Sequence, residues 1–456
     1  MRISVIGLGK LGSPLAAVLA SKGHDVIGVD LDATLVSRLS EGKAPVYEPH
    51  LQELIDSCRS RLQATTNYDE AVLPTSISFV VVPTPSGADG TFLDQYVLAA
   101  VQEIAKALRR KSEYHVVNIT STVMPGSCDR KIREALESFS GRRVGETVGL
   151  CYNPEFIALG SVISNMLFPD MLLIGESDAR AGDVVEAVYR QVCEKTPPVQ
   201  RMNLVNAEIT KIGVNTFVTT KITYANMLSE ICERLPGADI DVVTSAVGLD
   251  SRIGRKYLQG ALGYGGPCFP RDNIAFTQLA KRLGARSDLA EATHCMNAHQ
   301  IERVFETTIR GLAHGSTVGV LGLAYKPNTG VIEESQGVAL VRRLAGAGYK
   351  VLAYDPLALP AAQVVIGDCF IASASAEECV RSCDRVAITT AWPQFRELEP
   401  RLFAREGTQL QVIDCWRCLP ASQFNDICSI VYLGRGPASP RATSRVTRLA
   451  DRASRG

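Results

Sequence analysis

Short runs of consecutive apolar residues alternate with longer stretches of helical spacing in two separate series along the chain. The first series holds "RISVI" at 2–6, "DVIGVD" at 25–30, "ISFVVV" at 77–82 and "YHVVNIT" at 114–120. Runs that are apolar at nearly every position suit strands of a parallel sheet covered by helices on both faces. A second series repeats the pattern: "STVGVLGLAY" at 316–325, "YKVLAYDP" at 349–356, "DRVAITT" at 384–390 and "QLQVIDC" at 409–415. Between the two the period changes, and 206–235 and roughly 288–313 read as long helices. The predicted fold class is α/β, with two Rossmann-like doubly wound domains joined by a central region of long helices.

The first strand runs directly into "GLGKLG" at 7–12 and a helical stretch from Pro14 to Ser21. Gly7, Gly9 and Gly12 thus form GxGxxG between a strand and a helix, and Asp30 closes the next strand about 20 residues on. Glycines at these points permit a tight turn, close approach of a pyrophosphate and tight helix packing, while the helix N-terminus supplies amide donors. A glycine-rich structural turn is the alternative, and the strand–turn–helix setting favours a dinucleotide site. A carboxylate at position 30 accepts from ribose hydroxyls and repels a 2′-phosphate, so NAD is expected over NADP. The loops "PTPSGADG" and "STVMPG" lie beyond the carboxyl ends of the next strands, where such a sheet places ligand contacts. The second series lacks GxGxxG, which leaves it to bind another nucleotide portion or to contribute structure.

Two further features carry chemistry. In "GYGGPCFPRD", 263–272, Cys268 stands on a turn too rich in glycine and proline for the interior of a helix or strand, just before Arg271 and Asp272. Such a thiol is either a nucleophile or incidental. Lys211 and Asn215, four apart in the long helix, share one face. With Ile212, Val214, Phe217 and Val218 around them, they form either a solvated stripe or a polar site on a buried helix, and the mixed surroundings favour the second.

Composition narrows the classes. The 456 residues are enough for two or three domains, and 46% hydrophobic with 21% charged residues is ordinary for a globular protein. Lys+Arg and Asp+Glu both number 48, so no global field recruits nucleic acid or an anionic membrane. The apolar N-terminal run is interrupted by Gly7, Gly9 and Gly12, and no run reaches the roughly 18 residues of a membrane span, so a cytoplasmic protein is expected. Thirteen scattered cysteines read as reduced thiols. Cys415 and Cys418 form a CxxC without a second pair at zinc spacing, and no metal is expected. From about Gly434 the Arg-, Ser-, Ala- and Pro-rich end reads as a flexible tail, either simply solvated or touching anions.

In their order along residues 1–419, "GLGKLG" with Asp30, "VPTP", "STVMPG", "NPEF", the Lys211–Asn215 helix, "DSRIG", "GYGGPCFPRD" and "AYKPNTG" resemble the nucleotide-sugar 6-dehydrogenases, the UDP-glucose and GDP-mannose dehydrogenase family. The resemblance implies an NAD-dependent, four-electron oxidation of a sugar CH2OH to a carboxylate. A first hydride transfer gives an aldehyde, a thiolate captures it as a thiohemiacetal, a second hydride departs to a second NAD, and water cleaves the thioester. Carried over residue by residue, Cys268 is the nucleophile, Lys211 stabilises oxyanions, Asn215 positions the same oxygen or a water, and Asp272 organises protonation. Thr122 and Glu155 hold water and assist proton transfer, a structural hydrogen bond being the alternative for Glu155. Expected cofactor contacts are Gly7, Gly9, Leu11, Gly12, Asp30, Pro83, Thr84 and Thr122. Expected substrate contacts are Glu155, Phe156, Lys211, Asn215, Arg252, Tyr257, Tyr264, Gly265 and Lys326. Arg252 matches an arginine that reaches a neighbouring subunit's sugar and Lys326 a lysine near the nucleotide. Surface contacts would also suit both cations, and core packing both tyrosines.

The resemblance further implies an NAD-binding domain over 1–203, a helical dimerisation and catalytic region over 204–300, a nucleotide-sugar-binding domain over 301–435 and a tail over 436–456, assembled as a homodimer. Departures cluster on the nucleotide side. Leu159 stands where an acidic residue is common, "VIEES" with Glu333 replaces "DTRES", Arg271 replaces a lysine, and "DCWR" at 414–417 replaces "DGRN" or "DGRR". UDP-glucose is the leading substrate, with TDP-glucose and GDP-mannose open. A two-electron hydroxyacid dehydrogenase and a silent NAD-binding scaffold are the other readings, and neither needs Cys268.

Overall fold

The computed structural model describes residues 1–424 and 426–438. They fold as two compact units, one of 1–214 with 278–284, the other of 215–277 with 285 onward.

The first unit is built on eight strands: β1 Arg2–Ile6, β2 Asp25–Val29, β3 Leu62–Thr65, β4 Ile77–Val80, β5 His115–Ile119, β6 Val148–Tyr152, β7 Leu172–Glu176 and β8 Val199–Met202. Their order is β3-β2-β1-β4-β5-β6-β7-β8, parallel throughout except between β6 and β7. Successive side chains of a strand point to opposite faces, and the core divides accordingly. Val5, Phe79 and Val116 join helix Gly12–Ser21 through Leu15 and Leu19, while their neighbours Ile6, Val80 and Val117 join helix Gln95–Leu108 through Val97, Val101 and Ile104. Both faces are covered, which is why these strands lack polar alternation. The polar exceptions satisfy one another: Ser4 Oγ lies 2.6 Å from Ser78 Oγ, which lies 2.8 Å from His115 Nε2.

The second unit carries a six-stranded, wholly parallel sheet: β9 Thr317–Leu321, β10 Lys350–Tyr354, β11 Ile371–Ala372, β12 Arg385–Ile388, β13 Gln411–Asp414 and β14 Ser429–Tyr432, in the order β11-β10-β9-β12-β13-β14. Val318, Val320, Leu340, Val341, Ile388 and Ile413 form its core, closed by Phe403 packed edge-on against Phe424 at 5.2 Å. Two doubly wound α/β sheets with long helices between them in sequence are the predicted fold class.

The eight strands read from the sequence are present, and six more, β3, β6, β7, β8, β11 and β14, were not read there. The long helix spans Leu204–Arg234, the next Asp288–Ile309. The turn at Cys268 is shorter than its composition suggests: a helix begins at Phe269 and runs to Arg282, because Pro270 falls in the first turn, where its missing N–H removes no helical bond. Arg271 and Asp272 are therefore helical. The expected tail lies outside the described residues from 439 on; before it, Gly436 N–H donates to the Ala238 carbonyl at 2.9 Å and the Pro437 carbonyl accepts from Gly237 N–H at 2.8 Å. None of the thirteen cysteines is in a disulfide, and among the described residues no group of ligands is arranged for a metal. No described helix is long and apolar enough to cross a membrane.

Candidate active site

The GxGxxG turn of the first unit divides its three glycines by what surrounds them. Gly7 has φ +99°, and a Cβ there would lie 2.3 Å from the Val81 carbonyl oxygen. A Cβ on Gly12 would lie 1.8 Å from the Gly7 carbonyl oxygen, where the helix crosses the strand end. Gly9 by contrast faces open space, with no atom within 4 Å of a Cβ. Two glycines close the turn and the third leaves room against the backbone, the arrangement a pyrophosphate requires. Asp30 holds the turn from the next strand end, Oδ2 accepting from Leu8 N–H at 2.6 Å and Oδ1 from Asp32 N–H at 2.9 Å. Leu11 is the N-cap of the helix. These residues fit NAD.

The loops beyond β4 and β5 are tied together by a residue that sequence reasoning missed. Ser121 Oγ accepts from Val82 N–H at 2.9 Å and donates to the Val82 carbonyl at 2.8 Å, which brings the segment of exposed Pro83 and buried Thr84 beside that of half-buried Thr122. Glu208, also missed, is fully buried and accepts from Gly126 N–H at 2.6 Å and Cys128 N–H at 2.8 Å; burial raises its carboxyl above the usual range, opposed by those two bonds. One turn further along the same helix, Lys211, 7% exposed, donates from Nζ to the Glu155 carbonyl at 2.7 Å and stands 4.7 Å over the Phe156 ring. The Glu155 side chain accepts from Tyr189 Oη at 2.6 Å. Burial pushes its acid up, and the Tyr189 bond and Lys211 pull it down. Glu155 therefore has the structural bond that was its alternative role.

In the second unit, Asn215 is buried and its Nδ2 donates to Asp272 Oδ2 at 2.6 Å. Asp272, 1% exposed, also lies 3.4 Å from Arg271 Nε. Burial of Lys211 and Asn215 rules out a solvated stripe. Cys268 is exposed at the start of a 14-residue helix, its carbonyl accepting from Asp272 N–H at 2.8 Å. The positive end of a helix favours a thiolate over a thiol. The loop before it is pressed against 325–334: a Cβ on Gly265 would lie 2.2 Å from the Glu334 carbonyl oxygen, one on Gly266 2.6 Å from the Tyr325 ring, and Gly266 N–H donates to the Glu333 carbonyl at 3.0 Å. The altered "VIEES" segment and the loop of half-buried Lys326 thus adjoin the thiol loop.

The remaining candidates differ in burial and in partners. Tyr264 is 4% exposed, and its hydroxyl has no hydrogen-bond partner among the described residues. Tyr257 is half-exposed and packs edge-on to Phe269 at 6.1 Å. Arg252 is 86% exposed and forms a two-pronged bond to Asp250. In "DCWR", the Arg417 side chain is 3% exposed and pairs with Asp241 at 2.8 and 3.0 Å, a structural role.

Fold and cofactor turn together define an NAD-binding protein of the Rossmann class. The sequence matches the UDP-glucose/GDP-mannose dehydrogenase family in three consecutive parts, the NAD binding domain at 1–193, the central domain at 205–299 and the UDP binding domain at 319–421, and the chain belongs to that family. It is 36% identical over 435 residues to the UDP-glucose 6-dehydrogenase AglM of Haloferax volcanii, covering 94% of this chain and 100% of that one. It is 34% identical over 360 residues to the GDP-mannose 6-dehydrogenase of Pseudomonas aeruginosa, covering 78% and 81%. Among solved structures, a UDP-glucose dehydrogenase from Pyrobaculum islandicum matches with a TM-score of 0.87 and 33% identity over 95% of this chain and 97% of that one.

Proposed function

We propose that the protein oxidises the C6 alcohol of a nucleotide hexose to the uronate, with UDP-glucose as its substrate. The observation that carries this reading is Cys268 at the start of its helix, with the buried Asp272 one turn on and tied to Asn215. NAD, when bound, takes up a hydride from the sugar carbon in each of two oxidations. The chain's residues supply the rest. Lys211 stabilises the alkoxide that forms as the C6 hydroxyl loses its proton. The Cys268 thiolate adds to the aldehyde carbon, forming a C–S bond and a thiohemiacetal oxyanion; loss of the second hydride leaves a thioester. Water then adds to the acyl carbon, the C–S bond breaks, and the carboxylate leaves with Cys268 restored. Glu155 and Thr122 hold that water, and Asp272 with Asn215 orders the protons around it. Cofactor contacts run through Gly7, Gly9, Leu11, Gly12, Asp30, Pro83, Thr84 and Thr122, and sugar-nucleotide contacts through Phe156, Arg252, Tyr257, Tyr264, Gly265 and Lys326.

The UDP assignment is supported by the UDP-glucose dehydrogenases among its relatives and by the matched UDP binding domain. The expected division at 203, 300 and 435 follows the same family plan. A homodimer is supported by Phe217, Tyr224, Met227 and Ile231, apolar residues left exposed along the long helix; reduced thiols fit a cytoplasmic location. The test is the number of NADH formed per UDP-glucose consumed, at completion with excess NAD. We expect two, falling to at most one in Cys268→Ser. One NADH from the unaltered enzyme would establish a two-electron dehydrogenase instead. Turnover of TDP-glucose or GDP-mannose with none of UDP-glucose would overturn the substrate.

A further inference from the structure

Residues 261–264 have no regular secondary structure, yet Ala261 is 0%, Leu262 3% and Tyr264 4% exposed. Buried backbone without a ladder must find partners elsewhere for its N–H and C=O groups. Here side chains provide them. Asn226 Oδ1 accepts from Ala261 N–H at 2.8 Å while its Nδ2 donates to the Leu262 carbonyl at 2.9 Å. Asn297 does the same for one residue alone, Oδ1 accepting from Tyr264 N–H at 2.7 Å and Nδ2 donating to the Tyr264 carbonyl at 3.0 Å. Arg303 Nη2 adds a bond to the Ala261 carbonyl at 3.1 Å. Gly263 between them is bare because a Cβ would lie 2.4 Å from Asn297 Oδ1.

We infer that Asn226 and Asn297 are positioning residues that fix the loop bearing Cys268, each gripping the loop backbone at two points. The inference rests on the proposed role of Cys268. A carboxamide carries a donor and an acceptor in one plane, so it satisfies an N–H and a C=O at once, as a neighbouring strand would. Aspartate keeps the acceptor and loses the donor, which sets a carboxylate oxygen against the Leu262 or Tyr264 carbonyl. Only three residues separate Tyr264 from Cys268, and Gly265 and Gly266 are pinned against 325–334, so a shift at the clamp passes to the thiol. Misplacement by about 1 Å can cost roughly 100-fold in rate. The first oxidation does not use the thiol and the second does, so the loss falls on one half of the reaction.

The test compares Asn226→Asp, Asn297→Asp and the milder Asn297→Ser with a control, Thr308→Ala, whose buried hydroxyl bonds the Val304 carbonyl of its own helix. Three readouts are taken: NADH per UDP-glucose, aldehyde trapped as a hydrazone, and the rate of Cys268 alkylation by iodoacetamide followed by peptide mass. We expect the clamp variants to drop from two NADH toward one, to release aldehyde, to keep the KM for NAD, and to change the alkylation rate at least threefold, none of which the control does. Clamp variants that retain two NADH and the unaltered alkylation rate would overturn the inference. One NADH or none from the unaltered enzyme would instead sink the proposed reaction, and the alkylation rates would still decide the clamp. If the aspartate variants fail to fold, Asn297→Ser decides it.

Discussion

Two alanine substitutions two residues apart in the cofactor turn are expected to do opposite things. At Gly7 the backbone has φ +99° and a Cβ would sit 2.3 Å from the Val81 carbonyl oxygen and 2.9 Å from its carbon. A side chain held in that region costs on the order of 1–3 kcal/mol, and forcing apart two packed backbones costs on the order of 1–3 kcal/mol more. Gly7→Ala should therefore lose about 2–6 kcal/mol. A unit of this size loses about 2–4 °C of melting temperature per kcal/mol, so its midpoint should fall by about 4–24 °C. At Gly9 there is neither a left-handed φ nor any atom within 4 Å. Gly9→Ala should melt with the unaltered protein or gain up to about 1 kcal/mol from a stiffer unfolded chain. Its methyl group instead occupies the space reserved for the pyrophosphate, and NAD affinity should fall at least about tenfold, or about 1.4 kcal/mol. Thermal unfolding by circular dichroism and NAD titration by calorimetry separate the two. A Gly9→Ala protein that melts early and binds NAD normally would refute the reasoning.

Asp30→Ser should raise the KM for NAD at least about tenfold and narrow the preference over NADP, since the carboxylate that accepts from a ribose and repels a 2′-phosphate is gone; an unchanged NAD/NADP ratio of kcat/KM would contradict this. His115 is pushed down to about 3, chiefly by burial and then by Lys111, against the raising effect of its bond to the Thr75 carbonyl. The unfolded chain takes up a proton below about 6.5 that the folded chain refuses, so stability is held above pH 6.5 and lost as pH falls toward 3. His24, lowered to about 4 by burial first, acts in the same sense. Between pH 6.5 and 5 each contributes a loss of up to about 2 kcal/mol, and a urea midpoint that does not move between pH 7 and 5 would contradict it.

Where chemistry is local in sequence, the sequence was legible. Gly7, Gly9, Gly12 and Asp30 lie within one strand–helix–strand unit, and Lys211 and Asn215 within one turn. Strands β4, β5, β9 and β12 are apolar enough to stand out, whereas β8 is "VQRM" and β11 only "IA", terminal strands of their sheets with too little buried surface to leave a pattern. The strand β6 is wholly buried, but its antiparallel partner β7 obeys no rule that reads from composition. Ser121, Glu208, Asn226 and Asn297 were missed for a common reason: their partners are backbone groups 33 to 82 residues away. A side chain that serves as another segment's hydrogen-bond ladder has no signature in its own neighbourhood, although a carboxylate on the apolar part of a helix, as at Glu208, is a hint.

The helix Leu204–Arg234 carries Glu208, Lys211, Asn215 and Asn226, and at about 100° per residue these four fall within about 60° of one another around its axis. Drift in this helix can change what covers its other sides. It cannot change how many residues it has between 208 and 226: a single insertion would swing one end of the set about 100° from the other. The segment is a measured length, and insertions that diversify such a protein belong in loops such as 83–94 rather than here.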